Sequence, residues 1–165
     1  AIYYQPNIDA IIWMDRFFFF FVDPNIKLYI IGPKPSNQIL NISKRRKNVI
    51  VTGFLEDPYL ILNSCNAVIS PMQNGGGIQN KILEAMALGK LNILSSFCAE
   101  PIKGAKNGIH FIVEDNAIAM ADKINDVCKN PLNYIDFEAK AKKIIQDNYT
   151  WDAYEKKLIS ELSNL

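Results

Sequence analysis

Cysteine, histidine and net charge are all scarce in this chain, and each scarcity closes off a class of function. Its 165 residues hold three cysteines, Cys65, Cys98 and Cys128, never in a CxxC spacing, and a single histidine, His110. That excludes the usual zinc frameworks and small disulfide scaffolds. An odd number of separated thiols reads as reduced, largely buried cysteines, which fits a cytoplasmic location. Eighteen basic side chains face 17 acidic ones for a net charge of +1, too balanced for a generally basic nucleic-acid binder. No apolar run reaches the ~18 residues of a membrane span. The nearest stretch, 8–22, is broken by Asp9, Asp15 and Arg16. It also lacks the basic start and small-residue cleavage site of a signal peptide, so it reads as a buried helix. Neither the Gly-Lys-Ser/Thr of a Walker loop nor the GxGxxG of dinucleotide enzymes occurs.

What is present is core material: 49% of residues are hydrophobic and 11% aromatic, spread over about one domain's length. Apolar runs and helical patterns alternate. Pro6 opens a helix that the pattern carries from Asn7 to Val22, where Asp23 and Pro24 stop it. Strands are expected at Lys27–Ile31, Asn48–Thr52, Ala67–Ser70, Leu91–Leu94 and His110–Val113. Helices are expected near Ser36–Arg45, at Tyr59–Cys65, from the glycine-rich loop to Leu88, and at Ala117–Lys129, Pro131–Asp147 and Trp151 to about Leu162. Continuous apolar strands separated by helices predict an α/β fold, a Rossmann-like parallel sheet with helices on both faces. Ligands of such sheets bind beyond the carboxyl ends of the strands, so the loops at Gly32, Gly53, Pro71 and Ser95 are the ones to inspect.

The segment from Pro71 to Gly89 is the most informative. Gly75, Gly76 and Gly77 between a strand and a helix allow a sharp turn and close approach of a ligand to the backbone. The helix start after them, Ile78, Gln79 and Asn80, offers unpaired N–H groups and a positive dipole end to a phosphate. Lys81 and Glu84, three apart, share one helix face. Such a lysine can meet a phosphate oxygen, and such a carboxylate can accept hydrogen bonds from a ribose diol. A solvated surface pair after an ordinary glycine turn is the alternative reading of the same residues.

Tyr4–Ala10, Leu28–Gly32, Val49–Phe54, Ala67–Pro71, Lys81–Ala87 with Gly89, and Tyr149–Trp151, in that order, resemble the donor-binding half of a group 1 (GT4-like) glycosyltransferase. The resemblance covers essentially the whole chain and implies one of the two Rossmann-like domains of a GT-B architecture. It implies that residues 1–165 form a single nucleotide-sugar-binding domain, the acceptor domain lying outside this sequence. The implied reaction moves a sugar from a UDP- or GDP-linked donor to a hydroxyl of a glycan or lipid-linked acceptor. Retention of configuration, no metal and no further cofactor are implied too, in the cytoplasm, with weak contact to the inner face of the membrane as the alternative. Glu84 would hold the ribose, the backbone amides of the turn around Gly77 to Lys81 would face the diphosphate, and Gly53, Phe54 and Leu55 would lie near the base. No residue stands out as a catalytic nucleophile or base; His110, at the head of an apolar strand, reads as structural.

The chain departs from the family pattern in places. A first glutamate, eight positions before Glu84, would fall at Gly76; Gln73 and Gln79 stand where a basic residue is frequent; and Lys90 follows Gly89 where proline is usual. The missing glutamate keeps a non-catalytic nucleotide-sugar-binding module open as an alternative. The family's first strand would precede Tyr4, and in the 3-2-1-4-5-6 strand order that strand is central. Without it two buried sheet edges would stay unpaired, so either upstream residues supply that strand or another segment fills its place. Phe17–Phe21 reads as core plus interdomain contact. Lys44–Lys47 reads as a helix end complementing the dipole, with weak contact to anionic lipid as the alternative. Trp151 reads as an anchor of the last helix to the sheet.

Overall fold

Pro6, which needs no N–H partner in a first helical turn, starts helix α1 (Gln5–Trp13). The computed structural model describes residues 2–153 together with Glu155 and Ile159. The helix does not continue unchanged to Val22 as the pattern predicts. Met14–Phe18 form a π-turn, closed by the Phe19 N–H donating to the Met14 carbonyl at 2.9 Å. The wider turn rephases the phenylalanine run. Phe18, Phe19 and Val22 enter the core, while Phe17, Phe20 and Phe21 stay exposed.

Strand β1 (Leu28–Ile31) leads through helix α2 (Asn37–Arg45) to β2 (Val49–Gly53). The Ser36 Oγ caps α2 by accepting the Ile39 N–H at 3.3 Å. Helix α3 (Tyr59–Ser64) precedes β3 (Ala67–Ser70), and α4 (Asn80–Ala87) links β3 to β4 (Leu91–Leu94). A short α5 (Ser96–Ala99) and the two-residue β5 (Ile112–Val113) follow, then α6 (Ala117–Lys129), a 3-10 turn (Pro131–Tyr134) and α7 (Ile135–Asn148). The expected fifth strand is shorter than its apolar run. His110 lies in a turn, where its Nδ1 accepts the Lys106 N–H at 2.9 Å. Trp151 is 87% exposed, so it does not bury its ring against the sheet. Most of the last expected helix lies outside the described residues.

All strand pairs are parallel. β1 pairs with β2, Leu28 opposite Val49 and Ile30 opposite Val51. β3 pairs with β4, Ala67 opposite Leu91 and Ile69 opposite Ile93, and β4 with β5. The strands form two sheets, β1-β2 and β3-β4-β5, rather than one. Leu28, Ile30, Val49, Val51, Ala67, Ile69, Leu91, Ile93 and Ile112 nevertheless belong to one core with residues of α1, α2 and α6. Leu94 and Val113 pack on the opposite face with Ile82 and Met86 of α4 and Ala141 and Ile145 of α7. Helices thus cover both faces, as the apolar strands require. Among the described residues no helix is long and apolar enough to cross a membrane.

Candidate functional site

The loops at the carboxyl ends of β1, β2 and β3 converge on one end of a cavity of about 970 Å³. After β2, Gly53 adopts a left-handed φ of +69° that turns the chain so that Phe54 and Leu55 reach the cavity lining. After β3, Pro71 and the buried Met72 are pinned, Ser95 Oγ donating to the Met72 carbonyl. The chain then runs exposed from Gln73 to Ile78. Gly77, at φ +64°, makes the turn into α4. No atom comes within 4 Å of where a side chain would begin at Gly76 or Gly77, so the loop is open.

No side chain caps α4: Gln79 occupies the N-cap position, and its Nε2 donates instead to the Gly76 carbonyl at 3.3 Å. The Ile82 N–H already donates to the Gln79 carbonyl at 2.9 Å, which leaves the Asn80 and Lys81 N–H groups at the positive end of the helix dipole. Lys81, in that turn, sends its Nζ to the Asn7 Oδ1 at 2.6 Å and to the Met72 Sδ at 3.1 Å. Lys81 is exposed as a residue, but its Nζ lies against Asn7 of α1 and Met72 of the β3 loop. That burial holds its pKa below the ordinary lysine value. Among the described residues no ion pair neutralises it. Glu84, one turn further, stays exposed and lines the same cavity, and the Tyr59 hydroxyl donates to its Oε2 at 3.4 Å. A partly desolvated ammonium, the first two amides of the helix and an exposed carboxylate are thus set along one helix. The arrangement can grip an anion at one point and a diol at the next.

Of the residues expected from sequence, Phe54, Leu55, Lys81 and Glu84 line the cavity together. Gly53, Gly75, Gly76, Gly77, Ile78, Gln79 and Asn80 lie outside its lining, in the backbone turns that position those side chains. Asn7, Met72 and Tyr59 join the site without any local signal, because their contacts to Lys81 and Glu84 come from other elements. His110 is not among the lining residues. The basic patch is partly consumed internally: Arg45 and Arg46 both bind the Asp15 carboxylate, at 2.6 and 2.7 Å.

Solved structures share the fold of this chain. HepE (Alr3699) of Anabaena, solved in complex with UDP, superposes with a TM-score of 0.73 at 15% identity, covering 94% of this chain and 44% of HepE. A TarM variant of S. aureus, solved with Fondaparinux, alpha-GlcNAc-glycerol and UDP, gives 0.71 at 20% identity over 94% of this chain and 32% of TarM. The C-terminal domain of LpcC from Francisella tularensis gives 0.61 at 17% identity over 89% of this chain and 79% of that domain. The chain therefore spans less than half of the HepE and TarM chains, and the shared fold is that of GT-B glycosyltransferases. No curated protein sequence matches. A family profile described as "Glycosyl transferases group 1" matches residues 4–130, and the chain belongs to that family.

Proposed function

We propose that this chain is the donor-binding domain of a glycosyltransferase that takes a sugar from a nucleotide-diphosphate donor and passes it to a hydroxyl of a glycan or lipid-linked acceptor. The observation that carries this reading is the Lys81 ammonium, held among the described residues by the neutral Asn7 and Met72 at the open start of α4, with Glu84 one turn away. A charge held by neutral acceptors gains most from an incoming anion, and a diphosphate set there would meet both Lys81 and the helix amides. Glu84, steadied by Tyr59, would accept from the ribose hydroxyls. When the glycosidic bond breaks, negative charge grows on the departing diphosphate. Fixed donors aimed at it are then the main catalytic contribution of this half of the enzyme. UDP in the HepE and TarM structures supports a uridine donor over a guanosine one. Retention of configuration and independence of metal follow from the family resemblance.

Because the chain spans less than half of HepE and TarM, we place the acceptor surface in sequence outside these residues and expect donor binding without turnover from the 165-residue chain. One observation favours a second reading, a nucleotide-sugar-binding module without transfer: the open loop carries Gly76 where a sugar-contacting carboxylate would stand. Calorimetry with UDP, GDP and NAD tests the shared part. UDP heat that disappears in Glu84→Ala supports the site, and binding of NAD alone sinks it. Sugar transfer by the full-length protein then separates the two readings.

A further inference from the structure

We infer that the end of the molecule where α1 and α2 finish is a docking surface for an anionic bilayer: Phe17, Phe20 and Phe21 enter the headgroup layer while Lys44, Arg45 and Lys47 meet its phosphates.

The π-turn creates the apolar part. It sends Phe18 and Phe19 into the core and leaves Phe17, Phe20 and Phe21 exposed by 52, 71 and 47%. Spaced three and four apart, these rings lie on one side of the turn. Trp13 continues the stripe, its ring 6.4 Å from that of Phe17. A contiguous apolar patch of this kind marks an interaction site.

Specific contacts bring cations to its edge. The Asp15 carboxylate draws in Arg45 at 2.6 Å and Arg46 at 2.7 Å, and Arg46 lies over the Phe20 ring at 4.3 Å. The basic run that ends α2 is thereby held beside the phenylalanines. One carboxylate does not neutralise two guanidiniums, and the Arg45 side chain remains 59% exposed. Arg16, Lys44 and Lys47 are exposed as well, and Lys44 Nζ donates to the neutral Asn41 side chain at 3.4 Å. On the α6 side, Asn125 donates to the Phe21 carbonyl. There Asp23 accepts from Asn25, and Asp126 accepts from Asn130 and Tyr134. The five cations outweigh the three carboxylates beside them.

Position and size select the partner. Asn7, at the start of α1, meets Lys81 at the cavity mouth, and roughly 20 Å of helix separates it from Phe20. Likewise α2 ends just before Val49, at the amino end of β2. The patch therefore lies at the amino ends of the strands, away from the donor site. Under the proposed function, on which this step rests, an acceptor meets the sugar at the carboxyl ends, so an acceptor domain does not account for exposed rings here. Together the three rings expose roughly 350 Å², against about 800 Å² per partner in a stable protein interface. A small apolar wedge flanked by cations is instead suited to shallow insertion into charged lipid.

The test is sedimentation of the 165-residue chain with vesicles of equal parts phosphatidylglycerol and phosphatidylcholine. Binding should weaken as salt rises and nearly vanish on phosphatidylcholine alone. Lys44→Gln with Lys47→Gln should weaken it about twentyfold, at about fivefold per cation. Phe17→Ser with Phe20→Ser should weaken it about tenfold or more. Brominated acyl chains should quench Trp13 in a Trp151→Phe background. UDP binding and far-UV circular dichroism should be unchanged in both double variants. Lys81→Met should sediment like the native chain, so failure of the donor-site reading and failure of this one are told apart. The proposal is overturned by equal binding to neutral vesicles, by undiminished binding of either double variant, or by a dimer in light scattering that Phe20→Ser dissolves, which would make a second copy the occupant.

Discussion

Lys81 and Asn7, 74 positions apart in sequence, meet through a 2.6 Å hydrogen bond that ties the first turn of α4 to the first turn of α1. The bond fixes where the ammonium sits, yet Asn7 brings no charge to cancel it. Lys81→Met should therefore weaken UDP binding about 10- to 100-fold, the loss of one or two hydrogen bonds to a charged group. Uridine affinity should barely change. Calorimetry with both ligands checks this; an equal loss for uridine would place Lys81 elsewhere in the complex.

Burial of the Lys81 head group lowers its pKa, which sets the sign of a pH effect. UDP affinity should hold while Lys81 is protonated and fall as pH rises through its depressed pKa, earlier than for an ordinary lysine. In the unliganded protein the folded state binds this proton less well than the unfolded chain. The Lys81 contribution to stability should thus improve over that same rise, up to the ordinary lysine value. Both trends should be missing in Lys81→Met, as read by binding and melting between neutral and alkaline pH.

Glu84→Gln should cost UDP about 1–3 kcal/mol of binding energy if the carboxylate accepts from the ribose. UDP lacking both ribose hydroxyls should bind the native chain and the Gln variant almost equally. Tyr59→Phe should matter less, because its contact with Glu84 is long, at 3.4 Å, and exposed. A double-mutant comparison of protein and ligand changes is the measurement, and additive losses would count against the ribose contact.

Arg45 and Arg46 share Asp15 but not its consequences for stability. The Arg46 side chain is 16% exposed and also lies over the rings of Phe19 and Phe20, at 5.4 and 4.3 Å. Arg46→Ala should cost about 1.5–3 kcal/mol in urea unfolding. Arg45 is 59% exposed, so Arg45→Ala should cost no more than ~1 kcal/mol. Equal costs would show that the aromatic stacking adds nothing.

Local chemistry made much of this fold readable. Pro6 and Ser36 mark helix starts, and the Leu28–Ile31 run ends at Gly32, because caps, proline and apolar runs act within a few residues. The phenylalanine run misled by its evenness. Apolar residues at every position specify no face, and the π-turn chose Phe18 and Phe19 for the core. His110 fell in a turn because Gly108 N–H pairs back to the Phe111 carbonyl before the apolar run can extend.

In the candidate site, residue identity and contact divide the same way. The sequence alone determined an α/β chain with parallel strands, a glycine turn opening α4, and Lys81 and Glu84 one turn apart on that helix, since each follows from spacing along a single segment. Only the tertiary structure decided that Asn7 and Met72 hold Lys81, that Tyr59 reaches Glu84, and that β1 and β3 face each other across a space. Those contacts join elements far apart in the chain, and periodicity specifies which face an element buries but not which partner it meets.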